Sequence, residues 1–365
     1  MFPGVVKVVR LREIMSMMSV ILIFLMIFCC QNVIPVKQRK IVRCNMSELY
    51  SFLLSICIPT WNRADVLKKT VSELTASRSF EEGKVQIVIS DNASDDWTEA
   101  VGRAFAEKFG ARVKYFRHNT GIDPHFNFQH VLELGDGVFV KLQTDYVFYE
   151  PGELDKLIGL LEETKAENGV FLGGEKPGGK MKIVDSIEDI LSNVSFSITS
   201  INNLFLRRAL YDSLEDPFRE WKSSFPQVDI LLRLVERGEK VVILPCLKGV
   251  RQCVLNNRNH TMIFANYLDM LKKRVDNGIL SSDAFAREKK KLLFNYLIPY
   301  HFDFFHQYNV SRRPLPFLPH CGHFKKEWYF VPALLWIGFM WFCSNVIPLH
   351  QLAGKIKRRF FILKK

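Results

Sequence analysis

The sequence predicts an α/β fold with a mostly parallel sheet that is covered by helices on both faces. Two observations support this prediction. Short apolar runs alternate with helical stretches from about residue 53 to residue 245, and polar segments follow four of the runs directly. Strands that alternate with helices belong in a parallel sheet with right-handed crossovers. The chain has 365 residues, 48% hydrophobic and 24% charged, and this composition excludes a disordered protein.

The first half of the chain carries the clearest pattern. Strands are predicted at residues 53–59, 85–90, 113–118 and 137–143, and helices at 64–77, 97–109 and 151–163. In the second half the pattern weakens, and it predicts strands at 198–208 and 241–245, a helix near 228–237 and one or two charged helices over 267–300. We expect three regions: residues 1–45, a domain over 46–255 and a helical region over 256–365.

The N-terminal 45 residues differ from the rest. Their apolar run at 15–30 is flanked by basic residues and is shorter than the roughly 20 residues that span a bilayer. Three interpretations remain open: a signal anchor, an uncleaved interfacial segment, or an extension upstream of a translation start at Met46.

The segment 328–348 is nearly continuous apolar sequence between basic residues on both sides. Basic flanks at both ends disfavour a single span and favour an aromatic-anchored helix on a membrane surface. The alternative is a buried helix packed on the domain. We therefore expect a membrane-associating C-terminal region.

The net charge of +12 points away from nucleic acid. Residues 1–45 hold seven basic residues and one acidic residue, and the tail from Lys355 holds six basic residues, so these two flanks account for the whole excess. A nucleic-acid groove would instead spread its charge along a face of the domain.

Polar side chains cluster where the predicted strands end. Thr60 follows the first strand, Asp91 the second, Asn119 the third and Asp145 the fourth. Ligands of open parallel sheets bind beyond the carboxyl ends of the strands, so we expect a polar-ligand site at this edge. An acidic group such as Asp91 suits hydrogen bonding to a ribose or a base edge.

These residues resemble the family 2 glycosyltransferases of the GT-A fold. The resemblance covers about residues 53–163 and is carried, in order, by SICIPTWNR, IVISDNASDDWT, RHNTGIDPHFNFQHVLELGDGVFVK and KLQTDYVFYEPGEL. It implies a Rossmann-like GT-A domain that uses a nucleotide sugar, similar to bacterial capsule and lipopolysaccharide sugar transferases. By position it implies that the nucleotide is bound by six residues: Pro59, Thr60, Arg63, Asp91, Asn119 and Gly121.

The metal motif departs from the family. The resemblance implies an Asp-rich triplet that binds a divalent cation, whereas this chain has Gln143-Thr144-Asp145. Asp145 alone would hold Mg²⁺ or Mn²⁺, with phosphate oxygens and water completing the shell. The cation would neutralise charge on the departing diphosphate.

Inversion at the anomeric carbon, which the resemblance implies, requires a base for the acceptor hydroxyl. By position the candidate is Asp229, and Glu220 is its rival. Asp229 would also suit a helix's first turn for purely electrostatic reasons.

We therefore expect a glycosyltransferase that moves a sugar, UDP-linked in the donor, to a glycan or lipid-linked saccharide in surface polysaccharide synthesis. The alternative is a non-catalytic nucleotide-sugar-binding or scaffold protein at the membrane. Asn92-Ala93-Ser94 is a glycosylation acceptor pattern inside the expected nucleotide loop, where a glycan would block the site. The expected location is therefore the cytoplasmic face of the membrane, with peripheral or N-terminal attachment.

Overall fold

The computed structural model describes residues 51–164, 169–173, 180–245, 249–251, 260–300 and 320–345. The chain divides into two units, Met1–Met46 and Ser47–Lys365, and every described residue lies in the second. The predictions for the apolar run at 15–30 and for the basic tail from Lys355 lie outside the described residues. The boundary expected at 255/256 stays a prediction.

The strands are β1 (Phe52–Thr60), β2 (Val85–Asp91), β3 (Val113–Arg117), β4 (Gly137–Leu142), β5 (Val147–Tyr149), β6 (Val170–Gly173), β7 (Lys182–Val184), β8 (Leu204–Arg207), β9 (Val241–Leu244) and β10 (Gly249–Arg251). Eight of these form one sheet in the order β3-β2-β1-β4-β8-β6-β9-β7, and β10 pairs with β5 in a separate ribbon. Neighbours β3-β2-β1-β4 and β6-β9 are parallel, whereas β8 and β7 run antiparallel to their partners. The expected mostly parallel α/β sheet is confirmed.

The helices are α1 (Ala64–Thr75), α2 (Arg78–Glu81), α3 (Thr98–Phe109), α4 (Pro124–Glu133), α5 (Glu153–Thr164), α6 (Ile187–Asn193), α7 (Arg208–Asp212), α8 (Pro226–Glu236), α9 (His260–Asp276), α10 (Ser282–Leu292) and α11 (Phe330–Asn345). Short 3-10 turns occupy Gly110–Arg112, Ser195–Thr199, Trp221–Ser223 and Gly322–Phe324, and a π-helical turn occupies Leu293–Leu297.

Two apolar cores lie on opposite faces of the sheet, because successive strand side chains point to opposite sides. Ile56 and Ile58 of β1 pack with α1 and α5 on one face. Cys57 of the same strand belongs to the other core, which is formed with α4, α6 and α8 to α11. The central strands are therefore buried on both sides, which explains why they appear in the sequence as continuous apolar runs.

The predicted strand at 198–208 is only half a strand. Ser195–Thr199 is a 3-10 turn, and β8 begins at Leu204. Asn202 explains the delay: its side-chain oxygen accepts a hydrogen bond from the backbone N–H of Thr144 at 2.9 Å. The chain therefore holds the loop after β4 through Asn202, two residues before β8 begins at Leu204.

Helix α11 falls within the apolar segment 328–348. Phe330 and Ala333 are buried in the core, and Leu335 is exposed. In the described part of the chain, no helix has both the length and the apolar character needed to cross a membrane.

Candidate active site

Three strands bring their ends to one edge of the sheet. Thr60, the last residue of β1, is in register with Asp91, the last residue of β2. On the other side of β1, the backbone N–H of Gln143 donates to the carbonyl of Cys57 at 2.9 Å, which leads the chain after β4 to the same edge. The sequence-predicted residues Thr60, Asp91 and Asp145 are therefore neighbours at the carboxyl ends of parallel strands.

Asp145 is buried, and both of its carboxylate oxygens have partners. The Thr60 hydroxyl donates to Oδ2 at 2.7 Å, and Nη1 of Arg63 donates to Oδ1 at 2.8 Å. Burial raises the pKa of Asp145, and the adjacent Arg63 charge offsets only part of that rise. A cation beside Asp145 is therefore favoured, because it stabilises the negative charge of a carboxylate that burial has desolvated.

The residues that replace the expected acidic triplet have structural partners. Gln143 is fully buried, and its amide nitrogen donates to the carbonyl of Val147 at 2.8 Å. Its oxygen accepts from the ammonium group of Lys141 at 3.1 Å. Thr144 is held by Asn202. Gln143 therefore closes the loop from the end of β4 to β5 and is no cation ligand.

Lys141 is a buried lysine that the sequence interpretation did not single out. Its ammonium group lies 5.2 Å from the centre of the Phe205 ring and 5.7 Å from that of Tyr149. Burial lowers its pKa to about 7. Its sequence position gave one signal: a charged residue inside the otherwise apolar run of β4.

Asp91 organises the turn that follows β2. It accepts from the backbone N–H of Ser94 at 2.9 Å, from the Ser94 hydroxyl at 2.5 Å and from the Tyr115 hydroxyl at 2.7 Å. Ala93 within this turn has φ of 58°, the left-handed region that a short local hydrogen-bond network can hold. The contact of Asp91 with a nucleotide stays a prediction.

The loops after β1 and β2 are bonded to each other. The backbone N–H of Asn62 donates to the Ser94 hydroxyl at 2.8 Å, and its side-chain oxygen accepts from the backbone N–H of Asp95 at 2.9 Å. Asn62 has φ of 50°, which asparagine tolerates better than most residues. This turn directs Arg63 toward Asp145 and leaves Trp61 60% exposed beside Thr60. Pro59 is buried in β1 and sets the direction of that strand end.

Asn119 and Gly121 lie exposed in the segment between β3 and α4. The segment is tied to the turn after β2, because the Asn92 side chain accepts from the backbone N–H of Ile122 and donates to its carbonyl, both at 2.8 Å. Asn127 of α4 donates to the carbonyl of Ser90 at 3.0 Å, which fixes the helix on β2. Asn119 and Gly121 are thus held next to the Asp91 turn.

Asp229 lies in the first turn of α8 and is 1% exposed. Arg219 binds its carboxylate with two hydrogen bonds at 2.8 and 3.1 Å, and Arg274 donates at 3.0 Å. Burial alone would raise the pKa of Asp229, but the hydrogen bonds from Arg219 and Arg274 lower it. A carboxylate held in this way is a weak base with no open approach, and its predicted catalytic role stays untested.

Glu220 is in a different environment. Its side chain is 30% exposed and lies 3.2 Å from the ammonium group of Lys273. The next residue, Trp221, has its ring 5.2 Å from that of Phe126 at the start of α4. The residue after Glu220 therefore contacts the start of α4, the helix that follows the segment carrying Asn119 and Gly121.

The donor set of this edge suits a divalent cation that is shared with a phosphate. Among the residues that the structure describes, no three His, Cys, Asp or Glu side chains form a metal cluster. Asp145 and the Thr60 hydroxyl nevertheless supply one carboxylate and one neutral oxygen at a buried position. Mg²⁺ commonly binds through one or two carboxylates together with substrate phosphates and water, and this set meets that requirement.

The chain matches known proteins over this same region. Residues 55–208 match the sequence model of the family described as Glycosyl transferase family 2. The abequosyltransferase RfbV of Salmonella typhimurium is 32% identical over 85 residues. That alignment covers 23% of this chain and spans only a quarter of the relative's length (25%).

Solved structures share the fold. TarS 1–349 of S. aureus, solved in complex with UDP-GlcNAc, has a TM-score of 0.51 and 14% identity, with 84% of this chain and 92% of that chain covered. The alignment with a longer TarS chain spans about half of that chain (48%) and 70% of this one, with a TM-score of 0.47 and 15% identity. Mannosyltransferase PcManGT from Pyrobaculum calidifontis, in complex with GDP-Man and Mn²⁺, has a TM-score of 0.47 and 12% identity over 85% of this chain and 88% of that chain. The chain therefore shares its overall fold with TarS 1–349.

Proposed function

We propose that this enzyme transfers a sugar from a UDP-linked donor to a glycan or lipid-linked saccharide in surface polysaccharide synthesis, because residues 55–208 match the sequence model of Glycosyl transferase family 2. One observation carries the proposal: Thr60, Asp91 and Asp145 meet at the ends of three neighbouring parallel strands. A buried carboxylate, a polar turn and an arginine at one sheet edge would suit a nucleoside diphosphate.

The donor would lie across the two bonded loops. Trp61, exposed beside Thr60, offers a flat surface on which a nucleobase would stack. Asp91, Asn119 and Gly121 would contact the remainder of the nucleoside. Arg63, 34% exposed at its side chain, would turn from Asp145 to the diphosphate, since a guanidinium binds phosphate oxygens in pairs.

Asp145 would then hold Mg²⁺ or Mn²⁺ together with the diphosphate oxygens. When bound, the cation neutralises the negative charge that develops on the leaving diphosphate. Arg63 would add a second positive charge beside the diphosphate. This charge would offset the weaker cation binding of a site that has no acidic residues at positions 143 and 144.

The transfer would be an inverting displacement. The acceptor hydroxyl oxygen forms a bond to the anomeric carbon, the bond from that carbon to the diphosphate oxygen breaks, and the hydroxyl proton passes to a carboxylate base. Glu220 is the better candidate for this base, because its carboxylate is partly open to solvent whereas Asp229 is enclosed by arginines.

We also propose that the enzyme acts at the cytoplasmic face of the membrane. The Asn92 amide supports this, because its nitrogen and oxygen both bond to the backbone of Ile122 inside the proposed nucleotide loop. A glycan on Asn92 would break that contact, so the loop is suited to a compartment without N-glycosylation.

A donor panel tests the proposal. The full chain is incubated with UDP, GDP, CDP and dTDP sugars and Mn²⁺ or Mg²⁺, and released nucleotide is measured. We expect release from one donor class, and a loss of at least a hundredfold in Asp145→Ala. The exposed Asp185→Ala serves as the matched control. Equal release by wild type and Asp145→Ala, or binding of a donor without any turnover in the presence of saccharide acceptors, would contradict the proposal.

A further inference from the structure

Helix α11 has an exposed apolar face with no partner in the described part of the chain. Large hydrophobic side chains at Trp328, Val331, Leu335, Phe339 and Phe342 are exposed, with fractions of 78% for Trp328 and 70% for Leu335. Val331, Leu335, Phe339 and Phe342 are three or four positions apart, so they form one stripe along the helix, and Trp328 lies two residues before its start. We call this stripe, Trp328 included, the open face of α11.

The opposite face is fixed to the protein. Phe330 and Ala333 are buried in the core, and Leu334, Trp336 and Ile337 pack against it. Residues 330–345 contain no charged side chain. A helix that is apolar on all sides is typical of an element covered on all sides, and an exposed apolar stripe of this length marks a contact surface.

Positive charge surrounds the start of the open face. Lys325 and Lys326 are exposed directly before it. The ammonium group of Lys290 lies 5.4 Å from the centre of the Trp328 ring. The nearest acidic side chain, Glu327, is already paired with Lys289. The rim therefore presents three lysines and no unpaired carboxylate among the described residues.

We propose that the open face of α11 docks on an anionic phospholipid surface. Aromatic and aliphatic side chains would enter the interface while Lys290, Lys325 and Lys326 bind lipid phosphates, a combination typical of in-plane helices. The rim disfavours the other occupants: a second copy would oppose lysines to lysines, and the chain's own apolar run at 15–30 also has basic flanks. The proposal does not depend on sugar transfer, although a lipid-linked acceptor would be presented at the same surface.

Fluorescence quenching by brominated lipids tests the position of Trp328. The full chain is mixed with vesicles of phosphatidylcholine and phosphatidylglycerol whose acyl chains carry bromine, without donor or acceptor. We expect partial quenching of tryptophan fluorescence that decreases in Trp328→Phe and is unchanged in Trp97→Phe, which removes a tryptophan of equal exposure (79%) far along the sequence. Equal quenching in wild type and Trp328→Phe would overturn the proposal.

Vesicle flotation tests the face and its rim. The double variant Leu335→Glu, Phe339→Glu should weaken binding about tenfold or more, and the exposed apolar Ile183→Glu on β7 should not.

Lys325→Gln with Lys326→Gln should weaken binding to anionic vesicles by on the order of tenfold and leave the weak binding to pure phosphatidylcholine unchanged. Equal binding to both vesicle types, or a change from dimer to monomer in Leu335→Glu, Phe339→Glu by light scattering, would refute the lipid partner. Because no sugar nucleotide is present, a failed donor panel leaves these results interpretable.

Discussion

At the scale of single residues, the site is defined by which carboxylates are free to act. Asp145 is buried, and its charged partner, Arg63, has a side chain that is one third exposed to solvent. Asp229 is equally buried but bound by Arg219 and Arg274, and Arg233 lies 3.8 Å away. The first arrangement suits the exchange of one cation for another, and the second suits a fixed structural ion cluster.

The two candidate bases are separated by substitution. We expect Glu220→Gln to lower kcat by roughly 10²- to 10⁴-fold with an unchanged Tm, as the loss of a general base does. We expect Asp229→Asn to lower the free energy of unfolding by about 3 kcal/mol, because the contacts of a buried carboxylate with Arg219 and with the buried Arg274 lose their charge. Steady-state kinetics and thermal unfolding are measured on both variants, with Glu215→Gln as an exposed control. A stable Asp229→Asn with abolished turnover would instead identify Asp229 as the base.

The Arg63–Asp145 ion pair predicts coupled binding of metal and nucleotide. Mn²⁺ should bind weakly to the free enzyme, since Arg63 occupies Oδ1 of Asp145, and about tenfold more tightly with UDP, a typical coupling. Arg63→Gln should raise Mn²⁺ affinity without UDP, and Asp145→Asn should reduce it in both states. Electron paramagnetic resonance of free Mn²⁺ gives these affinities directly. Identical Mn²⁺ binding with and without UDP in wild type would contradict the coupling.

At the scale of elements, each polar loop is held by a side chain from a neighbouring one. Asn62 bonds the loop after β1 to that after β2, Asn92 bonds the latter to the segment before α4, and Asn202 holds the loop after β4. The Asn92 amide both donates and accepts and so satisfies two backbone groups of Ile122, whereas the side-chain oxygens of Asn62 and Asn202 each accept from one backbone N–H. These cross-links make the strand ends one surface instead of four separate loops.

Strand β4 carries a pH-dependent contribution to stability through Lys141. Its pKa is lowered to about 7 by burial, whereas an unfolded lysine keeps its ordinary value. Between about pH 7 and pH 10 the unfolded chain therefore binds a proton that the folded chain has released. Wild-type stability should rise with pH in this window by up to about 1.4 kcal/mol per pH unit from this group, and the contribution should level off below pH 7.

Lys141→Met tests this contribution. The variant should lose the rise between pH 7 and pH 10 and be more stable than wild type at pH 7, because the cost of a buried ammonium group is removed. The measurement is chemical denaturation at pH 7, 8, 9 and 10, with the exposed Lys240→Met as the matched control. A variant whose stability keeps the wild-type slope would show that Lys141 is not the responsible group.

At the scale of the whole molecule, one sheet separates two cores, and the C-terminal helices complete one of them. Tyr267 of α9, Leu292 of α10 and Phe330 of α11 belong to the same core as Val228 of α8. The helices that follow the strand-rich part therefore help to stabilise it. This arrangement also fixes one side of α11 and leaves its other side exposed.

Much of the fold could be predicted from the sequence because its signal is local. Strands β1, β2 and β4 are buried on both faces, so they stand out as apolar runs, whereas β3 is a partly exposed edge strand. The observed bounds of all four strands differ from the predicted bounds by no more than one residue at either end. The short strands β5, β6, β7 and β10 were not predicted. With three or four residues each, they are too short to show a period, and their partners are distant in sequence.

The sequence by itself determined the parallel α/β sheet, the polar strand ends and the separation of charge toward the chain's flanks, because alternation, strand-end position and charge are properties of neighbouring residues. Only the tertiary structure decided what each carboxylate does. Arg219 and Arg274 lie 10 and 45 residues from Asp229, and Thr60 lies 85 residues from Asp145. Burial and ion pairing arise from contacts between such distant segments. They determine whether a carboxylate can exchange its arginine partner for a metal ion, as we propose for Asp145, or stays in a fixed ion cluster, as Asp229 does.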